Sequence, residues 1–274
     1  DSYLQKIGKP RGADHPLKAW PYKKGRKVKL FVLAGHRNME GERAFVQELK
    51  KQRGKSALLK DNHQIAYRYS IGGGYKKSDG WEPLGPAGFY DTFGPELSFG
   101  AALTKKVKGP IAIAKFTHSG SQIIDWTPEG SEAETRNLYP SFLKFIQESM
   151  QQIEDRGQKV ELAGILYHLG ENDMSWSPFR DGASARLQSL VNQSREDLDL
   201  PELPWFVSQQ PPTDDKQVNQ IDVTAKIAEV AAADPYLIHI KAFSLPPQEK
   251  KLVLDTKGVI ALGEELAKSW LEHE

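Results

Sequence analysis

The sequence predicts an α/β fold, a three-layer α/β/α sandwich with a central parallel sheet. Two observations predict it. Short apolar runs recur along the chain without the alternation of a half-exposed strand, as strands covered on both faces do. Amphipathic stretches of helical period separate them, and strands alternating with helices build parallel sheets.

The elements follow in order. Residues 1–26, rich in proline, glycine and lysine, read as a lead-in that wraps the surface ahead of a single domain over 27–274. Apolar runs at 28–33, 111–116, 162–167, 205–207 and 237–240 read as buried strands. Helical patterns fall at about 41–52, 96–106, 139–156, 183–198, 217–232 and 258–272. The stretch 58–92 breaks the rhythm: it is rich in Gly and Tyr, contains Gly72-Gly73-Gly74, and alternates over Gln64-Ile65-Ala66-Tyr67-Arg68-Tyr69 as an edge strand or hairpin does. It is read as a long loop insertion near the carboxyl ends of the strands, where α/β folds bind ligands.

Composition narrows the function. With 274 residues, 39% hydrophobic and 27% charged, the chain has the make-up of an ordinary globular protein with a sizeable core. A net charge of +1 gives no bias toward nucleic acid or a membrane surface. No apolar stretch approaches the roughly 18 residues of a membrane span. With no cysteine there is no disulfide, thiolate metal site or cysteine nucleophile. No tight metal-ligand spacing occurs, so neither metal nor cofactor is expected. The chain starts at Asp1 rather than methionine, as when an upstream segment is removed.

The most informative stretch is Leu33-Ala34-Gly35-His36-Arg37-Asn38-Met39-Glu40-Gly41-Glu42, directly after the first apolar run. A strand passing through a glycine turn into a helix is where many α/β hydrolytic enzymes expose a nucleophile. The stretch resembles the first block of the SGNH hydrolases, in the carbohydrate-esterase branch related to sialate O-acetylesterases, which usually reads A-G-Q-S-N-M-x-G. Gly94-Pro95-Glu96-Leu97-Ser98-Phe99-Gly100 resembles the branch's G-P-E-x-x-F-G segment. Ser119-Gly120-Ser121-Gln122-Ile123-Ile124-Asp125-Trp126 resembles its second block, and Tyr167-His168-Leu169-Gly170-Glu171-Asn172-Asp173 its third. The resemblance implies an SGNH hydrolase-like, flavodoxin-like fold, with Gly120 and Asn172 at positions that help hold an oxyanion.

The same resemblance implies that the reactive groups are replaced. His36 takes the glutamine position and Arg37 that of the nucleophilic serine. In the last block, D-x-x-H in the family, the glycine Gly258 and the Leu262-Gly263-Glu264-Glu265-Leu266-Ala267 helix place Lys250 at the aspartate and Val253 at the histidine. Acyl transfer by serine needs a nucleophile, a base and a group that orients the base. An arginine stays protonated, and a valine accepts no proton. Ordinary serine-dependent ester hydrolysis is therefore not expected.

Each remaining candidate has a sharp reading and a plain one. Arg37 suits carboxylate or sulfate groups of a substrate, or fills the vacant space and pairs with Glu40, Glu171 or Asp173. His36, His118 and His168 fall beside the blocks. Each alone reads as a hydrogen-bonded structural residue, but His36, His168, Glu171 and Asp173 together could supply a new acid and base. Ser119 and Ser121 read as structural. The aromatics Tyr67, Tyr69, Tyr75, Trp81, Phe89, Tyr90, Trp126 and Trp176 could stack on sugar rings, with one or two expected at the surface.

The expectation is a carbohydrate-directed protein that has lost the esterase triad, a non-catalytic glycan-binding domain recognising acidic polysaccharide. Arg37, Asn38, His118, Gly120, Ser121, Asp125, Trp126 and Asn172 are its candidate contacts. The alternative is a polysaccharide-active glycosidase, lyase or sulfatase with replaced acid–base chemistry. The resemblance implies a bacterial, periplasmic or extracellular setting, with room for partner domains outside this chain.

Overall fold

In the computed structural model, which describes residues 16–133, 136–175, 178–210, 223–240 and 253–274, the first apolar run is strand β1 (Lys27–Gly35). Its side chains divide by parity, as a strand's geometry requires. Val28, Leu30, Val32 and Ala34 enter one core, while Phe31 and Leu33 enter another on the opposite face.

The other strands are β2 (Asn62–Ile71), β3 (Lys76–Lys77), β4 (Glu82–Leu84), β5 (Ile111–Thr117), β6 (Lys159–His168), β7 (Trp205–Ser208) and β8 (Leu237–His239). Among the described residues they form one sheet in the order β3-β2-β5-β1-β6-β7-β8, with β4 also on β2. Pairing is parallel from β2 through β8 and antiparallel only where β3 and β4 meet β2. The insertion therefore forms the hairpin of the two expected alternatives, β2 and β3 about Gly72–Gly74, and places β2 inside the sheet rather than at its edge. Ala66, Tyr67 and Ser70 face β5 partners on one side while β3 and β4 cover the other.

Helices α1 (Arg37–Glu40), α2 (Val46–Lys51), α3 (Glu96–Thr104), α4 (Tyr139–Asp155), α5 (Glu171–Ser175), α6 (Phe179–Asp197), α7 (Val223–Ala232) and α8 (Thr256–His273) connect the strands. Phe142, Phe145, Ile146 and Ile153 of α4 join Leu187, Leu190 and Val191 of α6 in the first core. Leu97, Phe99 and Leu103 of α3 join Leu262, Leu266 and Trp270 of α8 in the second. The sheet is thus covered on both faces, as the apolar strands anticipate.

The helix expected over 41–52 is broken. Gly41 adopts φ 82°, and a Cβ there would lie 1.8 Å from the Phe93 carbonyl oxygen. Only glycine fits this left-handed, close approach, so α1 ends after one turn and the chain restarts at Val46.

Candidate active site

The register levels Gly35 of β1 with Thr117 of β5 and His168 of β6, so the residues after these strands emerge together. The chain crosses β1 between β5 and β6, and the crevice at such a reversal is where open α/β sheets bind ligands.

Arg37 opens α1 with its side chain 31% exposed. Its Nε lies 3.1 Å from Glu42 Oε2 and 3.1 Å from Glu171 Oε1. That nitrogen is buried and aligned for a hydrogen bond with neither, so the contacts are ion pairs. Burial pushes the Glu171 carboxyl up and Arg37 draws it back. Of the expected partners Glu171 pairs with Arg37, whereas Glu40 and Asp173 turn elsewhere. Glu40 Oε2 accepts from Thr117 Oγ1 at 3.0 Å and from the Gly72 amide at 3.2 Å, which fastens the insertion to the first block. Burial raises the Glu40 carboxyl above its usual range.

His36 points inward, 1% exposed. Its Nδ1 lies 2.9 Å from both the carbonyl and the hydroxyl of Ser121, and its Nε2 is 2.5 Å from the Tyr167 hydroxyl. The Ser121 hydroxyl donates to the His118 carbonyl at 2.7 Å. The neighbours of Nδ1 therefore accept, which places the proton on Nδ1 and makes Tyr167 the donor to Nε2. Burial lowers the His36 pKa to about 3. His168 is likewise buried and lowered to about 3, with Nδ1 2.7 Å from Ser208 Oγ and Nε2 3.4 Å from Asn38 Nδ2. Both are neutral interior rings rather than acids or bases at the rim.

Asp173 is fully buried, with Ile123 N–H donating to its carboxylate oxygens at 3.2 and 3.0 Å. Desolvation pushes its pKa up to about 8. Asp125 accepts from Gln122 N–H at 2.8 Å in a reciprocal cap of a short 3-10 turn, Ile123–Trp126. Trp126 lies in the first core and donates Nε1–H to Ser121 Oγ at 2.9 Å. Asn38 Oδ1 accepts from Leu254 N–H at 2.8 Å, tying the first block to the last. Of the expected ligand contacts, Asn38, Ser121, Asp125 and Trp126 thus face the interior, because each fills a backbone or side-chain hydrogen bond within the fold.

His118, Gly120 and Asn172 remain partly open. The Gly120 amide, an oxyanion donor by resemblance, donates instead to His118 Nδ1 at 3.2 Å. Desolvation, reinforced by Arg136, lowers the His118 pKa. Val253 is buried at 3% exposure, while Lys250 and Trp176 lie outside the described residues. Of the insertion's aromatics, Tyr75 and Tyr90 are exposed at 87% and 45%; Tyr67, Tyr69 and Trp81 are buried.

Two residues escaped the sequence reading. Glu42 lies two positions beyond Glu40 and completes the arrangement around Arg37. Lys115, a lone charge inside the apolar run of β5, pairs with Glu96 at 2.9 and 3.0 Å, and both are buried. Tyr67 donates to Glu96 at 3.0 Å. A lysine flanked by Ala114 and Phe116 in a two-faced strand is itself the signal of a buried acidic partner.

A family model described as carbohydrate esterase, sialic acid-specific acetylesterase, matches residues 27–272. No curated protein matches the chain. Among solved structures, a protein of Arabidopsis thaliana superposes with a TM-score of 0.66 at 20% identity, over 90% of this chain and 98% of its own. NanS superposes at 0.65 and 14% identity, over 92% of this chain and 98% of its own. A carbohydrate acetylesterase from Xanthomonas citri gives 0.64 at 16% identity over 88% of this chain, and the match spans 55% of that larger chain. These likenesses show a shared SGNH-like fold. With the family match covering the whole sheet and the first, second, third and last blocks, the chain belongs to the carbohydrate esterase family of sialic acid-specific acetylesterases.

Proposed function

We propose that this protein is a carbohydrate-binding member of its family that does not hydrolyse esters. One observation carries the reading: at the position where the family places its nucleophile, Arg37 is held between Glu42 and Glu171. A guanidinium fixed between two carboxylates is neither a nucleophile nor a base. The buried Val253 and the Gly120 amide turned to His118 support the same conclusion, since one offers no base and the other is already occupied.

The charge at the elbow refines the ligand. One cation faces two carboxylates, so an anionic group approaching Arg37 must displace a partner it already has. A neutral sugar instead finds paired donors and acceptors for its hydroxyls in Glu42, Glu171 and Arg37. The elbow therefore suits an uncharged sugar residue better than an acidic one. Glu42 and Glu171 are also the groups a rebuilt glycosidase would use, but the arginine between them occupies both. The family's carbohydrate setting points to an exported protein.

The test is incubation with neutral, uronic-acid and sulfated polysaccharides, followed by affinity electrophoresis and mass spectrometry of released material. Retardation on a neutral glycan with no product is expected. Released acetate, oligosaccharide, sulfate or unsaturated ends would overturn the non-catalytic reading.

A further inference from the structure

A cavity of about 250 Å3 opens between β2, the β2–β3 turn and α4, on the far side of that turn from the elbow. Arg68 forms its floor. The guanidinium carbon lies 4.6 Å from the centre of the Phe145 ring, and its nitrogens donate to Ser149 Oγ at 2.8 Å, Glu148 Oε2 at 3.1 Å and the Phe145 carbonyl at 3.3 Å. A cation held by four contacts is pre-organised for recognition.

Lys77 and Lys144 stand at the mouth. Glu148 already serves Arg68, and its other oxygen is 3.7 Å from Lys144 Nζ. Lys77 makes no ion pair among the described residues. Three cations thus share one carboxylate, the reverse of the balance at Arg37.

The turn between the two places is thin. Gly73 lines the cavity, and a Cβ on it would lie 2.5 Å from His118 Cδ2 on the elbow side. Its φ of 64° and this approach both require glycine. The Gly72 amide is bonded to Glu40, so the turn is fastened to the first block. From its end projects Tyr75, 87% exposed, with its ring centroid 5.6 Å from that of Phe89. An exposed aromatic face on the turn that lines the cavity, together with its surplus ammonium groups, matches an acidic sugar, whose C–H face stacks while its acid group pairs.

We propose that this cavity is an acid-group subsite for the same glycan chain. A neutral residue lies against the elbow, and a uronic carboxylate or a sulfate ester further along is held by Lys77 and Lys144 over Arg68. The proposal rests on the carbohydrate reading of the elbow, and it places acid recognition at a site the family motifs do not mark.

The test is calorimetric titration of neutral, uronic and sulfated oligosaccharides of equal length into the wild type and the double variant Lys77→Ala, Lys144→Ala. The variant is expected to bind acidic oligosaccharides about tenfold or more weakly, as loss of charge-assisted contacts implies, with neutral affinity unchanged. Unchanged acidic affinity, or equal loss for neutral and acidic ligands, overturns the subsite. A uronic-only response assigns the carboxylate, a sulfated-only response the sulfate. A second titration, of methyl glucuronoside and inorganic sulfate followed by NMR, separates the two readings. Shifts confined to Lys77, Lys144 and Arg68 uphold the subsite even if no oligosaccharide binds, in which case the elbow reading fails alone. No shift at these residues overturns the subsite and leaves neutral binding standing.

Discussion

Arg37 Nε and Glu171 Oε1, 3.1 Å apart, join the turn after β1 to the turn after β6. Glu42 approaches the same nitrogen, so one guanidinium neutralises acids from two blocks. Arg37→Ala removes the guanidinium that Glu42 and Glu171 both approach. It is expected to cost about 1 kcal/mol at pH 7, the scale of a partly solvated ion pair. The Glu171 carboxyl, already raised, rises further, and a raised folded pKa gives stability that is lost as pH increases. Urea melts at pH 5 and pH 7 check this: the deficit should be smaller at pH 5, and a deficit independent of pH would refute it.

Arg37→Ser alone should not yield an esterase. The new hydroxyl is expected to have no base, since the resemblance of the last block puts the buried Val253 at the histidine's position. Hydrolysis of an aryl acetate by the single variant is expected at the uncatalysed rate, with any gain appearing only when Lys250→Asp and Val253→His are added. Turnover by the single variant would show that a different residue serves as base.

Three buried groups, His36, His168 and Asp173, pull stability toward a maximum near neutrality. Folded His36 and His168 titrate at about 3 against an ordinary 6.5, so below pH 6.5 the unfolded chain takes up protons the folded one refuses. Asp173 does the opposite: its folded pKa of about 8 against 3.8 gives stability present at low pH and lost as pH rises through 8. Two histidines outweigh one aspartate on the acid side and only the aspartate acts above, so these groups together favour a maximum at about pH 6.5. Thermal melts from pH 4 to 9 read it. Asp173→Asn should flatten the alkaline fall and keep the acid limb.

Lys115→Met orphans a buried carboxylate. Among the described residues Glu96 then keeps only the Tyr67 hydroxyl, and breaking one side of a buried pair costs about 3–5 kcal/mol. Adding Glu96→Gln should recover much of that loss. Equal stability of the single and double variants, by guanidinium unfolding, would contradict the pairing.

The sheet was legible because its strands are apolar on both faces, with only single lysines, Lys29 and Lys115, inside the runs of β1 and β5. The interior place of β2 was not. Gln64, Arg68 and Ser70 give it the alternation of an edge, yet Arg68 is half-buried against Phe145 and Ser149 of the long helix α4, a contact no local pattern reports. At the elbow, the sequence marked Arg37 and Glu171 but overstated the rim. His36, His168, Asp125 and Asp173 are polar residues near a cleft, and only their tertiary partners show that each faces inward.

Tyr22 carries a consequence for how the molecule is cut. Its hydroxyl donates to the Ile111 carbonyl and accepts the Ala66 amide at 2.9 Å, stitching β5 to β2, while Trp20 packs edge-on to Trp81 at 5.9 Å. Trp20 and Tyr22 both lie ahead of residue 27, where the family match begins. An expression boundary drawn at that match would remove the stitch and uncover two backbone groups between neighbouring strands. Trp20 and Tyr22 are a keystone of the sheet, and a domain trimmed of them should melt as a weaker protein than the family match suggests.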